Sequence, residues 1–324
     1  VVVFAVGYNL IINGEIEIGT LLAFSMYVGM FWRPIMNISS FYNTFVTNLS
    51  AADRIFDILD IKGNIKNKDN AKVVEDIKGD VEFKKVYFAY EDGINVLKNV
   101  SFKVESGERI ALVGSTGAGK STIVSLLSRF YDVSSGEILV DGKNLKDLDI
   151  ESFRSHMGIM LQDTFLFSDT IMENIRYGRL DATDEEVINA AKAVNAHDFI
   201  MNLEDGYNTE VNERGSRLSL GQRQLISFAR ALLADPRILI LDEATSNIDT
   251  KTERLVQQGI EKLLQGRTSF VIAHRLSTIR DCDRIMVVED GRIIEHGNHE
   301  SLMATKGNYY NLYMSQYEFL NEGA

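Results

Sequence analysis

About a third of the way along the chain, Gly114-Ser115-Thr116-Gly117-Ala118-Gly119-Lys120-Ser121 follows the pattern Gly-x4-Gly-Lys-Ser. Its flanks narrow the folds that can hold it. Residues 109–113 are a short apolar run of strand length, and residues 122–130 read as a helix. Strand, glycine loop and helix in that order form a turn that cradles phosphate. Gly117 and Gly119 let the backbone approach a ligand with no Cβ in the way. The loop N–H groups and the helix N-terminus then face an anion with partial positive charge. Lys120 can reach the β and γ phosphates of a nucleotide, and the Ser121 hydroxyl can ligate Mg2+.

A second site element lies far downstream. Residues 238–241 are four apolar side chains followed by Asp242 and Glu243. A buried strand would carry both carboxylates to its C-terminal end, where parallel α/β sheets bind ligands. There Asp242 would hold Mg2+, directly or through water, and Glu243 would polarise an attacking water as general base. Acid pairs at strand ends are common, so this pair gains its meaning from the glycine loop.

Charge and cysteine content exclude other classes. The 324 residues carry a net charge of −12, and no block of five or more Lys or Arg occurs. That balance argues against a nucleic-acid partner, which needs a clustered basic surface. Cys282 is the sole cysteine, so no intrachain disulfide forms and a reducing, cytoplasmic setting is expected. The chain opens at Val1 inside an apolar run with no basic region before it, which reads as a truncation point rather than a signal peptide.

Residues 1–12 are almost wholly apolar, residues 13–19 form a polar turn bounded by glycine, and residues 20–32 are apolar again up to Arg33-Pro34. Neither run reaches the roughly 18–20 residues of a spanning helix. Two readings stand: a buried helical hairpin, or the cut end of one membrane helix, an external turn and most of the next. Trp32 and Arg33 suit a membrane interface. Phe41, Phe45, Leu49, Ala52, Phe56 and Leu59 recur at helical spacing, so the second run continues as one long helix. The polar stretch 62–79 reads as a linker. From residue 80 the pattern is α/β. Strands are expected at 81–90, 95–104, 137–141, 156–161, 237–241, 269–273, 284–289 and 292–295, with helices over much of 184–234 and over 298–320.

Further motifs follow the glycine loop and acid pair in a set order. Leu218-Ser219-Leu220-Gly221-Gln222 resembles the Leu-Ser-Gly-Gly-Gln signature of ABC ATPases. Gln162 resembles the Q-loop glutamine, and Ser246-Asn247-Ile248-Asp249 the D-loop. His274 resembles the switch histidine, and Tyr90 the A-loop aromatic. Glu210-Val211-Asn212-Glu213-Arg214-Gly215 resembles the X-loop of exporters, and the stretch from Phe165, Leu166 and Phe167 through Thr170 and Glu173 to Ile175 resembles the exporter segment beyond the Q-loop. From about residue 80 to its end, the chain is thus similar to the nucleotide-binding domain of an exporter-type ABC transporter.

The resemblance implies a fold: an α/β P-loop NTPase (ABC ATPase) domain with a helical subdomain, preceded by a truncated α-helical transmembrane segment. It sets the domains at 1–61 (end of the membrane domain), 62–79 (linker) and 80–324. It implies ATP and Mg2+ as cofactors. Gly114, Ser115, Thr116, Gly117, Ala118, Gly119, Lys120, Ser121 and Thr122 would hold the phosphates, and Tyr90 would stack on adenine. Ser121, Gln162 and Asp242 would serve the metal. Glu243, His274, Lys120 and Gln162 would carry the catalysis. Ser219, Gly221, Gln222 and Asp249 would act across a head-to-tail dimer. The partner would be a second ABC half-transporter, the same chain or another. The location would be the lipid bilayer of the cell membrane, multi-pass, with the nucleotide-binding domain on the cytoplasmic side.

Two residues depart from the family pattern. Leu220 stands where the signature has its second-last glycine, and Asn212 where the X-loop has glycine before Glu213. A side chain at 220 can crowd the partner's phosphate or point away from it, so a binding-only or regulatory half of a heterodimer is the alternative. The short stretch between Gln162 and Ser219 leaves no room for the coiled-coil insertion of chromosome-maintenance ATPases. His296 and His299 flank no third ligand that would make a metal site, and Cys282 reads as an ordinary small side chain.

Overall fold

The computed structural model describes all residues other than 62, 64, 92, 161–163, 212–217, 244–249, 274–275 and 323–324. For residues 243, 250, 251, 273, 276, 277 and 316–322 it describes the backbone alone. The chain divides into two units, Val1–Asn64 and Ile65–Ala324.

The first unit is a helical pair, α1 (Val2–Ile12) and α2 (Ile18–Leu59). The expected single long helix is present, and it continues through Pro34. Gly7 is the buried residue of α1, and a Cβ there would strike the Leu21 side chain. Close approach of the two helices therefore depends on a residue without a side chain. Elsewhere most large apolar residues of both helices, among them Phe24, Phe31, Trp32 and Phe41, are exposed. The Thr44, Thr47 and Ser50 hydroxyls donate back to carbonyls four residues earlier, which internalises polar groups that would otherwise need an outside partner. Among the described residues, no helix is long and apolar enough to cross a membrane.

The second unit runs β1 (Val81–Phe88), β2 (Leu97–Val104), β3 (Arg109–Val113), α3 (Lys120–Leu127), β4 (Ser135–Val140), β5 (Lys143–Asn144), α4 (Ile150–Arg154) and β6 (Met157–Met160). A helical portion follows: β7 (Asp169–Thr170), α5 (Ile171–Arg176), α6 (Asp184–Ala193), α7 (His197–Met201), β8 (Glu210–Val211) and α8 (Leu220–Ala234). The chain then returns through β9 (Ile238–Glu243), α9 (Thr250–Leu264), β10 (Thr268–Ala273), α10 (Leu276–Arg280), β11 (Arg284–Glu289), β12 (Arg292–Gly297), α11 (His299–Thr305) and α12 (Asn308–Glu322).

One sheet has the order β12-β11-β3-β10-β9-β6. Its members are parallel except for the antiparallel edge strand β12. The other has the order β2-β1-β4-β5 and is antiparallel. Alternation along the parallel strands divides the core. Ile110, Leu112, Ile238, Ile240, Phe270 and Ile272 pack with the antiparallel sheet and α3. Ala111, Val113, Leu239, Leu241 and Val271 pack with the helical portion on the other face. Both faces are buried, so these strands read as continuous apolar runs.

The structure refines three expected boundaries. The helix read at 122–130 begins at Lys120 and ends at Leu127. Arg129 takes a left-handed φ of 52°, which ends the helix, and its buried guanidinium donates to the Leu148 and Lys66 carbonyls. The strand read at 237–241 extends to Glu243, so both acids lie on the strand. The tail forms two helices because Lys306, at φ 53°, breaks the first.

The polar stretch read as a linker is bonded to the second unit over much of its length. Lys68 pairs with Asp147 at 2.6 Å, Lys72 bridges to Leu148, and the Val74 N–H donates to Ser152 Oγ. The N–H groups of Lys78, Gly79 and Asp80 converge on the Asp141 carboxylate.

Candidate nucleotide site

The glycine loop joins β3 to α3 at the C-terminal edge of the parallel sheet. Gly114, at φ 147°, sits so close to β11 that a Cβ would run into the Val288 carbonyl. Gly119 is the N-cap of α3 at φ 110°, and no side chain caps the first turn. A Cβ on Gly119 would lie 2.8 Å from Leu97 Cδ2. The loop is thus a cradle that only a chain with glycine at these positions can form. Ser115, Thr116, Gly117 and Ser121 are exposed on it, while Ala118, Gly119 and Thr122 are buried.

Lys120 folds over this loop. Its Nζ donates to the Gly114 carbonyl at 2.8 Å and to the Ser115 carbonyl at 2.9 Å. Burial pulls its pKa below the ordinary lysine value, and the charge of Asp242 opposes that shift. The ammonium is therefore partly stripped of water while bonded to neutral acceptors that an anionic oxygen can replace. Asp242 is carried there by β9, which lies one strand from β3 across β10, with Asp242 in register with Ile272. The structure so brings the glycine loop, Lys120 and Asp242 together. Their oxygen donors, the Ser121 hydroxyl and the Asp242 carboxylate, are the type a hard divalent cation takes. Among the described residues, no group of three or more His, Cys, Asp and Glu could hold a metal ion. A cation here would share its shell with phosphate, as Mg2+ does.

Tyr90 lies just beyond β1 and is half exposed. Its hydroxyl shares a hydrogen bond of 3.2 Å with Thr122 Oγ1, which ties this ring to the first turn of α3. Phe88 and Tyr131 stand edge-on around it. Tyr131 was not singled out from the sequence; the signal for it is an aromatic pair, Phe130-Tyr131, directly after the helix of the glycine loop.

The signature residues open α8. Ser219 is the N-cap and Leu220 the first helical residue. Ser219 Oγ accepts from the Gln222 N–H at 3.2 Å, and Gln222 Oε1 accepts from the Ser219 N–H at 2.9 Å. This capping box satisfies two N–H groups at the helix N-terminus, where Ser219 is exposed. Gly221 is buried and Leu220 partly exposed. Among the described residues, no hydrogen bond joins Ser219, Leu220, Gly221 or Gln222 to the glycine loop.

Further along α8, Arg230 reaches into the segment 165–177. Its Nε donates to the Asn174 carbonyl at 2.7 Å, Nη1 to the Phe165 carbonyl at 3.1 Å and Nη2 to Asn174 Oδ1 at 2.9 Å. The guanidinium also lies over Phe167 and Tyr177, and burial holds its pKa below the ordinary arginine value. Asn174, fully buried, in turn bonds the Phe167 N–H and carbonyl and the Thr170 carbonyl. Neither Arg230 nor Asn174 was assigned a role from the sequence, because each serves a contact 56 residues away.

Gln162, Asn212, Glu213, Gly215, Ser246, Asp249 and His274 lie outside the described residues, as does the side chain of Glu243. Of the histidine pair, His299 Nδ1 is 2.8 Å from the Tyr309 hydroxyl. Neighbouring Glu295 accepts from the Asn308 and Tyr309 N–H groups at the start of α12. Cys282 is buried and donates to the Thr278 carbonyl.

Residues 97–246 match the family model described as ABC transporter. An uncharacterized ABC transporter ATP-binding protein of Bacillus subtilis (strain 168), YknV, is 54% identical over 311 residues, covering 96% of this chain and 52% of that protein. A putative multidrug export ATP-binding/permease protein of the same organism, YgaD, is 48% identical over 317 residues, covering 98% of this chain and 54% of its own length. An ATP-dependent lipid A-core flippase of Syntrophus aciditrophicus (strain SB) is 44% identical over 317 residues, covering 98% and 52%. Among solved structures, a bacterial Atm1-family ABC exporter with ATP bound superposes with a TM-score of 0.79 at 39% identity, covering 93% of this chain and 53% of that chain. The chain spans about half the length of the curated relatives it matches.

Proposed function

Because the nucleotide-binding domain of this chain belongs to the ABC transporter family, we propose that the protein is the ATP-hydrolysing half of an exporter, working head to tail with a second half. The observation that carries this reading is the convergence of the glycine loop, Lys120 and Asp242 at the edge of the parallel sheet. Lys120 exchanges the Gly114 and Ser115 carbonyls for β and γ phosphate oxygens, and the stronger charge-assisted bonds offset its lost hydration. The exposed N–H groups of the loop and of the first turn of α3 receive the remaining phosphate oxygens. Ser121, Asp242 and Gln162 would hold Mg2+, which would neutralise phosphate charge. Glu243 orients a water and takes its proton on a carboxylate oxygen, and His274 hydrogen-bonds the γ-phosphate. Tyr90 carries the base.

Ser219, Gly221 and Gln222 belong to the other half-site. The exposed, capped Ser219 at the N-terminus of α8 supports action on a nucleotide held by the partner. Asp249 acts at the same dimer interface. The exposed apolar faces of α1 and α2 support their reading as the cut end of one membrane helix and most of the next. The site is then on the cytoplasmic side of a multi-pass membrane protein. The cargo class is a drug, lipid or peptide.

A second reading, a binding-only half of a heterodimer, rests on the partly exposed Leu220 at the N-terminus of α8. One experiment separates the two. Steady-state ATPase activity of the protein is measured in lipid, without any other half, beside Glu243→Gln. Activity that the substitution abolishes supports a working homodimer. Absence of activity alone, with activity on mixing with another half-transporter, favours the heterodimer. Unchanged activity in Glu243→Gln sinks Glu243 as the base.

A further inference from the structure

Tyr90 sits in a triangle of rings. Phe88, the last residue of β1, lies 4.8 Å from it centroid to centroid with the planes at 85°. Tyr131 lies 5.0 Å from it at 88°, and Phe88 and Tyr131 are 5.6 Å apart. Edge-to-face pairs of this kind are attractive and directional, because the positive ring edge meets the negative ring face. Neither neighbour lies parallel over Tyr90, which keeps 50% of its surface in solvent. Its hydroxyl is tethered to Thr122. A ring held by two perpendicular neighbours and by a bond at its tip, with half its surface left in solvent, is preorganised to take a flat partner.

Phe88 is 3% exposed and belongs to the core between the sheets, so its presence follows from packing. Tyr131 is 44% exposed, and core packing does not account for it. The backbone brings it there. After α3 ends, Arg129 turns the chain with its left-handed φ, and the Phe130 N–H donates back to the Ser125 carbonyl. The guanidinium bonds of Arg129 to Leu148 and Lys66 hold that turn. The same short helix thus presents the phosphate loop at one end and Tyr131 beyond the other.

We infer that Tyr131 is a positioning residue for the nucleotide base: it holds the Tyr90 ring so that its open surface meets the purine, while the phosphates sit on the loop at the start of α3. This rests on Tyr90 being the base platform and goes beyond it, since Tyr131 acts through its contact with Tyr90. Without Tyr131, Tyr90 keeps Phe88 and the Thr122 bond but regains side-chain freedom that stacking must then remove.

The test is calorimetric titration of the protein in lipid with ADP and, separately, with inorganic tripolyphosphate, which has no base. Tyr131→Ala weakens ADP by about 2- to 12-fold, the range one edge-on aromatic pair carries, and leaves tripolyphosphate within about twofold. Tyr131→Phe restores wild-type ADP affinity, because the ring and not the hydroxyl makes the contact. In a Tyr90→Ala background, Tyr131→Ala adds no further loss. Tyr131→Leu, which keeps apolar bulk, serves as the second variant should the alanine protein fail to fold. Three results overturn the inference: unchanged ADP affinity in Tyr131→Ala (or in Tyr131→Leu, should the alanine protein fail to fold) while Tyr90→Ala weakens it, equal weakening of both ligands, or the same loss with and without Tyr90. Unchanged ADP affinity in Tyr90→Ala itself instead removes the platform on which the inference stands.

Discussion

Replacing Arg230 by Met tests how α8 is joined to the segment 165–177. The methionine keeps the unbranched stem and removes three guanidinium bonds, two to backbone carbonyls and one to Asn174 Oδ1. None of these goes to a carboxylate. At about 1 kcal/mol net per hydrogen bond and about 0.5–1 kcal/mol for the aromatic contact, the loss is about 3–4 kcal/mol. Relief of a partly buried charge offsets about 1 kcal/mol of it, which leaves about 2–3 kcal/mol. The loss is local, because the bonded atoms belong to residues 165 and 174 alone. The assay is native-state amide hydrogen exchange, read by mass spectrometry on peptides spanning 165–177. A local opening free energy lowered by about 2–3 kcal/mol speeds exchange there by about 30- to 150-fold. Peptides of β3 and β10 stay within a few-fold of wild type. Arginine stays protonated at every pH the protein tolerates, so the ratio is the same at pH 6 and pH 8 once intrinsic exchange is divided out. A change of less than about threefold in 165–177, or an equal acceleration across the parallel sheet, would refute the account of Arg230 as a local clip.

Two other outcomes follow from the geometry. Gly114→Ala drives a Cβ into the Val288 backbone carbonyl at a φ of 147°, and neither can rotate away. A loss of about 2–4 kcal/mol in chemical denaturation is expected, together with loss of ADP binding; wild-type affinity would show that the loop tolerates a side chain. Asp283 carries the other. Burial alone would raise its pKa, but the hydrogen bonds and charge of Arg109 outweigh burial and hold it below the ordinary carboxylate value. A depressed carboxylate pKa adds stability in full above the unfolded value of about 3.9, and that stability is lost as pH falls through the folded value. Asp283→Asn therefore destabilises by about 0.5–1 kcal/mol at pH 7, discounted for the solvent around this pair. The difference from wild type shrinks below about pH 3.9, and a difference that persists undiminished at pH 2 contradicts the assignment.

The division between sequence and structure follows from the range of the interactions. Local rules were enough for the glycine loop, since only glycine supplies the φ values at 114 and 119. They were enough also for the buried strands, because a strand covered on both faces is apolar throughout. The continuous α2 was legible from its spacing, even through Pro34. Helix ends were less legible. α3 stops at Leu127 because Arg129 is anchored to carbonyls at 66 and 148, which lie in other parts of the chain. Only the tertiary structure brought Asp242 to Lys120 across an intervening strand, Arg230 to Asn174, and Tyr131 to Tyr90. Each of these is a single side chain meeting a distant partner, and it leaves no periodicity in the sequence. Composition likewise marked 62–79 as polar without revealing that its backbone and charges are bonded to Asp141, Asp147 and Ser152. The sequence by itself determined which local elements form and which chemistry they carry. Folding decided which of those chemical groups meet, because long-range contacts depend on strand order and helix placement, and not on neighbours along the chain.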